Sequence, residues 1–266
     1  MNEDSKRWIY WTIPVVVVIG LLAALYYGRQ RQQAAEEAPV TESPAASSAP
    51  APIQHPVEDV ERTETLPALA QSDPAVQESL GSIFGRALEP YLVPKNIIRN
   101  FVVTIDNLPR KKLAVQMRPV QPTAGELATS GTDQITLSDA NYARYAPLVQ
   151  LVQRADTAQV VALYQRYYPL FQQAYVDLGY PQGYFNDRLV EVIDHLLATP
   201  EIPGPIRLTR PSVYYEFADR SIEERSAGQK LLIRMGSENA AAVKAKLREL
   251  RTAVTSMTRE APAADQ

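Results

Sequence analysis

Residues 8–27, WIYWTIPVVVVIGLLAALYY, carry no charge, and 17 of the 20 are apolar. No other stretch limits the fold as strongly. A helix rises about 1.5 Å per residue, so this run spans roughly 30 Å, the hydrocarbon thickness of a bilayer. Trp8, Tyr10 and Trp11 at one end, with Tyr26 and Tyr27 at the other, match the aromatic belts of the two membrane interfaces. Pro14 falls in the first turns, where it is tolerated. A cleaved signal peptide would want a shorter apolar core and a small-x-small cleavage site. Here the run ends in Tyr26-Tyr27-Gly28-Arg29. A buried soluble helix suits aromatic rims less well. The expectation is a short tail (1–7) followed by one uncleaved transmembrane helix (8–27) held in the lipid bilayer.

Lys6 and Arg7 precede the span and Arg29 and Arg31 lie after it, so the positive-inside rule is balanced. The composition beyond the span favours one orientation. Of residues 34–56, 16 of 23 are Ala, Pro, Ser or Thr. That composition builds no core, and 28–65 reads as a disordered Ala/Pro/Glu-rich linker. A short N-terminus, one span and a spacer before a C-terminal domain suit the inner (cytoplasmic) membrane, with the domain in the periplasm. The chain has no cysteine, which excludes disulfides, iron–sulfur ligation and thiol catalysis. The net charge of -3 is unevenly spread: residues 28–65 hold 3 basic and 7 acidic side chains, residues 66–257 hold 21 and 19. The acidity therefore belongs to the linker.

Beyond the linker the pattern predicts one mainly α domain, 66–256, with several helices and a small β element, then a tail at 257–266. Ser72-Asp73-Pro74 predicts a helix start. Ile97, Ile98, Phe101, Val102 and Ile105 mark a second helix. Alternation at Leu113, Val115 and Met117, and again near 127–137 and 205–217, predicts short strands. Ser138-Asp139 opens a helix that Pro147 should bend. Asp156 and Gln159 read as a capping box for a long helix that Pro169 should kink. Asn186 is placed to cap the next helix, Ser221 and Glu224 a further one, and Gly236 separates that from the last.

The segments NYARY (141–145), YPLFQQAYVDLGYPQGYFNDRLVEVIDHLLATP (168–200), YEFAD (215–219), SAGQKLLIRMG (226–236) and NAAAVKAKLRELR (239–251) resemble an uncharacterised bacterial domain-of-unknown-function family of single-span, membrane-anchored proteins. The resemblance covers about 66–254. It implies an envelope placement and a single domain, and assigns no residue a catalytic role.

Three clusters are candidates for binding. Asp187, Glu191 and His195 recur every fourth residue and share a helix face, with Asp194 and Arg188 beside them. Carboxylates and an imidazole at that spacing could do acid–base work, although a solvated helix face has the same pattern. Eight of the 14 tyrosines lie between 142 and 184. The stripe at Tyr164, Tyr168, Phe171 and Tyr175 reads as core, whereas Tyr180 and Tyr184 sit in the loop GYPQGYFN and are better placed for a ligand. Lys244, Lys246, Arg248 and Arg251 form a basic helix. There they either meet an anionic partner or complement the helix dipole. No G-x-S-x-G, P-loop or G-x-G-x-x-G is present.

These features favour a non-catalytic binding or scaffold module, with an envelope protein or peptidoglycan as partner. They point to no catalytic residue, metal site or cofactor, and no nucleic acid is expected. The alternatives are an envelope enzyme working from the Asp187/Glu191/His195 face, and a cytoplasm-facing membrane protein with an anionic partner.

Overall fold

A computed structural model of the chain describes residues 52–58 and 65–257. The span expected at 8–27, most of the linker and residues 258–266 lie outside the described residues. Among the described residues, no helix is long and apolar enough to cross a membrane.

The domain is mainly helical. After a 3-10 turn (Leu69–Gln71), α1 (Asp73–Phe84) begins where Pro74 predicts it. Ser72 does not cap it, because the hydroxyl turns back to donate to the Leu69 carbonyl at 2.9 Å. Asp73 reaches across instead and accepts from the amides of Asn96 (2.7 Å) and Ile97 (2.9 Å), where α2 (Ile97–Asn107) starts.

The helix expected from Ser138 is two helices, α3 (Asp139–Ala143) and α4 (Ala146–Gln153), with Pro147 in the first turn of the second. Proline lacks the N–H a continuing helix needs, so the chain restarts there. The long helix α5 (Thr157–Asp177) is capped as predicted: Asp156 Oδ1 accepts from the Gln159 amide at 3.1 Å. The helix runs on through Pro169. α6 (Phe185–Leu197) comes after the GYPQGYFN loop. Next are α7 (Arg220–Glu223), α8 (Ala227–Arg234) and α9 (Ser237–Thr255). Asp219, not Ser221, caps α7, accepting from the Ser221 amide at 2.8 Å, and Glu224 pairs with Arg220. Ser226 starts α8 by accepting from the Gln229 amide at 3.2 Å.

α9 packs against α4, α5 and α6, and α2 lies across α5 and α6. Their shared core buries Phe84, Phe101, Tyr145, Tyr167, Phe171 and Phe185. Phe171 and Phe185 stack at 5.9 Å, and Phe101 meets both edge-on.

The β element is smaller than the sequence suggests. β1 (Thr129–Ser130) pairs with β2 (Thr136–Leu137), and β3 (Leu208–Thr209) with β4 (Glu216–Phe217), both antiparallel. A bridge from Thr136 to Arg207 joins the two hairpins over a second core of Leu137, Ile206, Leu208, Phe217, Ile222 and Ile233. The alternation at 113–117 makes no strand. Val115–Met117 is a 3-10 turn, and extended pairing falls one step later, where Val120 bridges Leu92.

Candidate functional site

The start of α6 is built by side chains from α5. Asn186 does not cap α6; it is the second helical residue and fully buried. Gln172 bridges the turn instead. Its Nε2 donates to the Gly183 carbonyl at 2.7 Å, and its Oε1 accepts from the Phe185 amide at 2.8 Å and the Tyr168 hydroxyl at 3.2 Å. Glycine is required at 183, because a Cβ there would lie 2.7 Å from Tyr175 Cε1. Burial, and then neighbouring Tyr164, raise the Tyr168 phenol far above its ordinary pKa and keep it a neutral donor.

The loop before α6 is locked from outside. The Tyr180 ring stacks on Tyr175 with centroids 4.6 Å apart. The Tyr180 hydroxyl donates to Asp106 Oδ2 at 3.2 Å and accepts from Arg110 Nη2 at 2.9 Å. Asp106, buried at 2 % exposure, also takes Arg110 Nη2 at 2.6 Å and Arg188 Nε at 3.1 Å. Arg188 Nη2 donates to the Asp106 carbonyl at 3.0 Å, and Nη1 pairs with Glu191 at 2.8 Å. Two guanidinium groups thus balance one buried carboxylate, as burial of a charge requires.

Against this rigid corner lies a strap from the linker, residues 52–58. Asp187, in the first turn of α6, accepts the Gln54 amide on Oδ2 at 3.0 Å and the His55 amide on Oδ1 at 2.7 Å. The Val57 amide donates to the Tyr184 hydroxyl at 2.7 Å. Asn186 closes the grip. Its Nδ2 donates to the His55 carbonyl at 2.8 Å and to the Val254 carbonyl at 3.2 Å, while Oδ1 accepts from the Tyr164 hydroxyl at 3.2 Å. Pro56, which has no N–H to offer, falls between the amides that are read. His55 and Val57 turn partly inward, Val57 onto the main core, and Ile53 stays 54 % exposed.

The balance of this grip is narrow. Two bonds to a carboxylate at about 1.5–3 kcal/mol each, with two neutral ones at about 0.5–1.5, give about 4–9 kcal/mol. Fixing four residues costs about 4–8 kcal/mol. Pro56 lowers that cost by fixing its own φ in advance.

The other sequence-predicted residues go elsewhere. Glu191 is exposed and pairs with Arg188. Asp194 takes Arg251 Nη2 at 2.9 Å. His195 Nε2 lies 2.8 Å from Ser226 Oγ. Burial, and then the positive Arg188, lower the imidazole pKa, with Glu191 opposing. Ser226 Oγ also accepts from the Gln229 amide, and which of Nε2 and Oγ donates to the other depends on the imidazole tautomer. On α9, Lys244 is buried and donates to the Thr199 carbonyl, and Lys246 donates to the Ala155 carbonyl at 3.0 Å. Lys244 borders a small recess of about 30 Å³ lined by Pro200, Ile202, Ile206 and Ile233, apart from the strap. Arg248 is exposed. Among the described residues, no three His, Asp or Glu side chains are grouped to hold a metal ion.

The structure therefore gathers Tyr184 and Asp187 at one site, with Tyr180 buttressing it. It does not bring His195 or the basic side chains Lys244, Lys246, Arg248 and Arg251 to them; α9 reaches the site only through the Val254 carbonyl. The strap, Asp106 and the role of Asn186 in holding the strap are not legible in the sequence, because their contacts join distant parts of the chain; Gln172 acts within 13 residues but carries no sequence signal.

A family model matches residues 97–251 of this chain. The chain belongs to the family described as Protein of unknown function (DUF3014). No curated protein and no solved structure matches it. The DUF3014 match begins at the first residue of α2 and ends inside α9. It therefore includes the strap-reading residues Tyr184, Asn186 and Asp187, and excludes the strap.

Proposed function

We propose that this DUF3014 protein is a membrane-anchored, non-catalytic binding module of the cell envelope. The span at 8–27 holds it in the inner membrane, and the domain faces the periplasm. The observation that carries the reading is the docked strap: Tyr184, Asn186 and Asp187 grip, through its main chain, a segment that bends at Gln54–His55. A surface that reads amides and a carbonyl is suited to a peptide main chain, so an envelope protein is a better partner than peptidoglycan. With the strap docked, 24 residues separate Tyr27 from Pro52. Fully extended at about 3.1 Å each, they reach about 75 Å from the membrane.

The test is photo-crosslinking in cells from position 180 or 184 of the full chain. Repeated recovery of the same envelope protein is the expected result, and a C-terminal alkaline phosphatase fusion should be active. Recovery of no envelope partner, or an inactive fusion, contradicts the proposal.

One observation favours the enzyme alternative, the 2.8 Å pair of His195 and Ser226. Ser226 is buried at 7 % exposure and its hydroxyl caps α8, so the pair serves as a helix cap here. Labelling of Ser226 by a fluorophosphonate would reinstate the enzyme reading.

A further inference from the structure

We infer that the strap is a built-in stand-in for the partner, so that the Tyr184–Asn186–Asp187 groove takes a peptide of the class X-X-Pro-aliphatic, bent at its two X residues as the strap is at Gln54–His55. The inference rests on the binding-module reading above and names its ligand class and its control. Three amides and one carbonyl of the strap are read, and each belongs to the main chain. Such contacts fix the course and direction of the backbone, including its bend at Gln54–His55, but leave most side chains free. Two positions are selective. Proline at 56 lies where no amide is read, so it adds stiffness without losing a bond. Val57 packs against the main core, which calls for an aliphatic residue there.

The reading groups are set before any peptide arrives. Asn186 is held by Tyr164 and Val254, and the Tyr184 ring packs on Tyr168 at 5.5 Å. The strap itself is shallow: Pro52, Ile53, Gln54, Pro56 and Glu58 are exposed. Only six positions separate Glu58 from Thr65. A ligand tethered this closely acts at an effective concentration of about millimolar. A partner peptide must therefore be abundant or also bind elsewhere to displace it, and the groove is guarded in its resting state.

A fluorescent peptide of residues 52–58, with both ends capped, tests this by anisotropy against three full-length proteins: the natural chain, a chain with 52–58 replaced by Gly and Ser, and that replaced chain carrying Asp187→Ala. Circular dichroism of each first establishes a native helical content. The expected result is binding to the strap-replaced chain about tenfold or more tighter than to the natural chain. Asp187→Ala, or N-methylation of the peptide amide at Val57, should each lower that affinity at least tenfold. No binding to the folded strap-replaced chain at millimolar peptide overturns the inference, and so does equal binding to all three proteins. If crosslinking in cells recovers a partner while this peptide fails, the ligand class falls and the binding function stands. If the peptide binds and no partner is recovered, the groove stands and the envelope function falls.

Discussion

Asn186 Nδ2 donates to the His55 carbonyl at 2.8 Å, joining residues 131 positions apart. The same amide group holds the Val254 carbonyl, and its oxygen takes the Tyr164 hydroxyl. One buried side chain thus ties together the strap, the end of α9 and the middle of α5. Asn186→Ala leaves two carbonyls and a buried hydroxyl without this partner. We expect a loss of about 2–4 kcal/mol, checked by urea denaturation of the full chain.

The carboxylate of Asp106 is the second fixed point. Asp106→Ala strips Arg188, whose side chain is 18 % exposed, of its buried partner and frees Tyr180. Breaking a buried pair from one side costs about 3–5 kcal/mol. The comparison is Arg220→Ala, which removes an exposed pair with Glu224 and should cost less than about 1 kcal/mol. Equal destabilisation of the two variants would contradict the lock.

How much of this is legible in the sequence depends on the distance between partners and on how many local groups compete for one role. Asp156 and Gln159 are three residues apart, and their cap is read correctly. The turn at Gly236 is also local and visible, whereas Pro147, expected to bend one helix, lies in the first turn of a second. Ser72, Asn186 and Ser221 have the chemistry of caps, yet each loses the role to a competitor, and for Ser72 and Ser221 that competitor is itself only two or three residues away. Ser72 turns to Leu69, Asn186 yields to Gln172, and Asp219 takes the role given to Ser221. Tyr184 and Asp187 are identifiable as loop and helix-start residues, but their partner lies in a stretch whose composition predicts only a spacer. Contacts 127 to 133 positions apart leave no periodic trace.

Acid should weaken the fold through His195. Its pKa is lowered in the folded state, first by burial, so the folded chain favours the neutral ring. The stability this ring confers is present above its unfolded value of about 6.5 and is lost as pH falls through the lower folded value. Thermal melts between pH 7.5 and pH 5 should show the natural chain losing more stability than His195→Gln. Parallel profiles would contradict this role. Because the ring is partly exposed, the difference should stay below the roughly 2–4 °C that 1 kcal/mol moves a domain of this size.

Two helical glycines should respond in opposite directions. At Gly81 in α1 an added Cβ meets nothing within 4 Å. Gly81→Ala should stabilise by about 0.5–1 kcal/mol, as expected for an unhindered helix interior. At Gly228 in α8 the Cβ would lie 2.6 Å from Leu196 Cδ2 and 3.2 Å from the Leu108 carbonyl oxygen. Gly228→Ala should destabilise by about 1–3 kcal/mol through overpacking. Chemical denaturation of both variants reads the signs directly.

The central claim is that the linker strap is held on the domain by α6. Hydrogen exchange of the peptide spanning 52–58, followed by mass spectrometry in the full chain and in Asp187→Ala, tests it most directly. The account predicts that the amides of Gln54, His55 and Val57 exchange more slowly than free chain in the natural protein, and that Asp187→Ala removes the protection of Gln54 and His55 while the helices keep theirs. Exchange of 52–58 at the free-chain rate in the natural protein would contradict it.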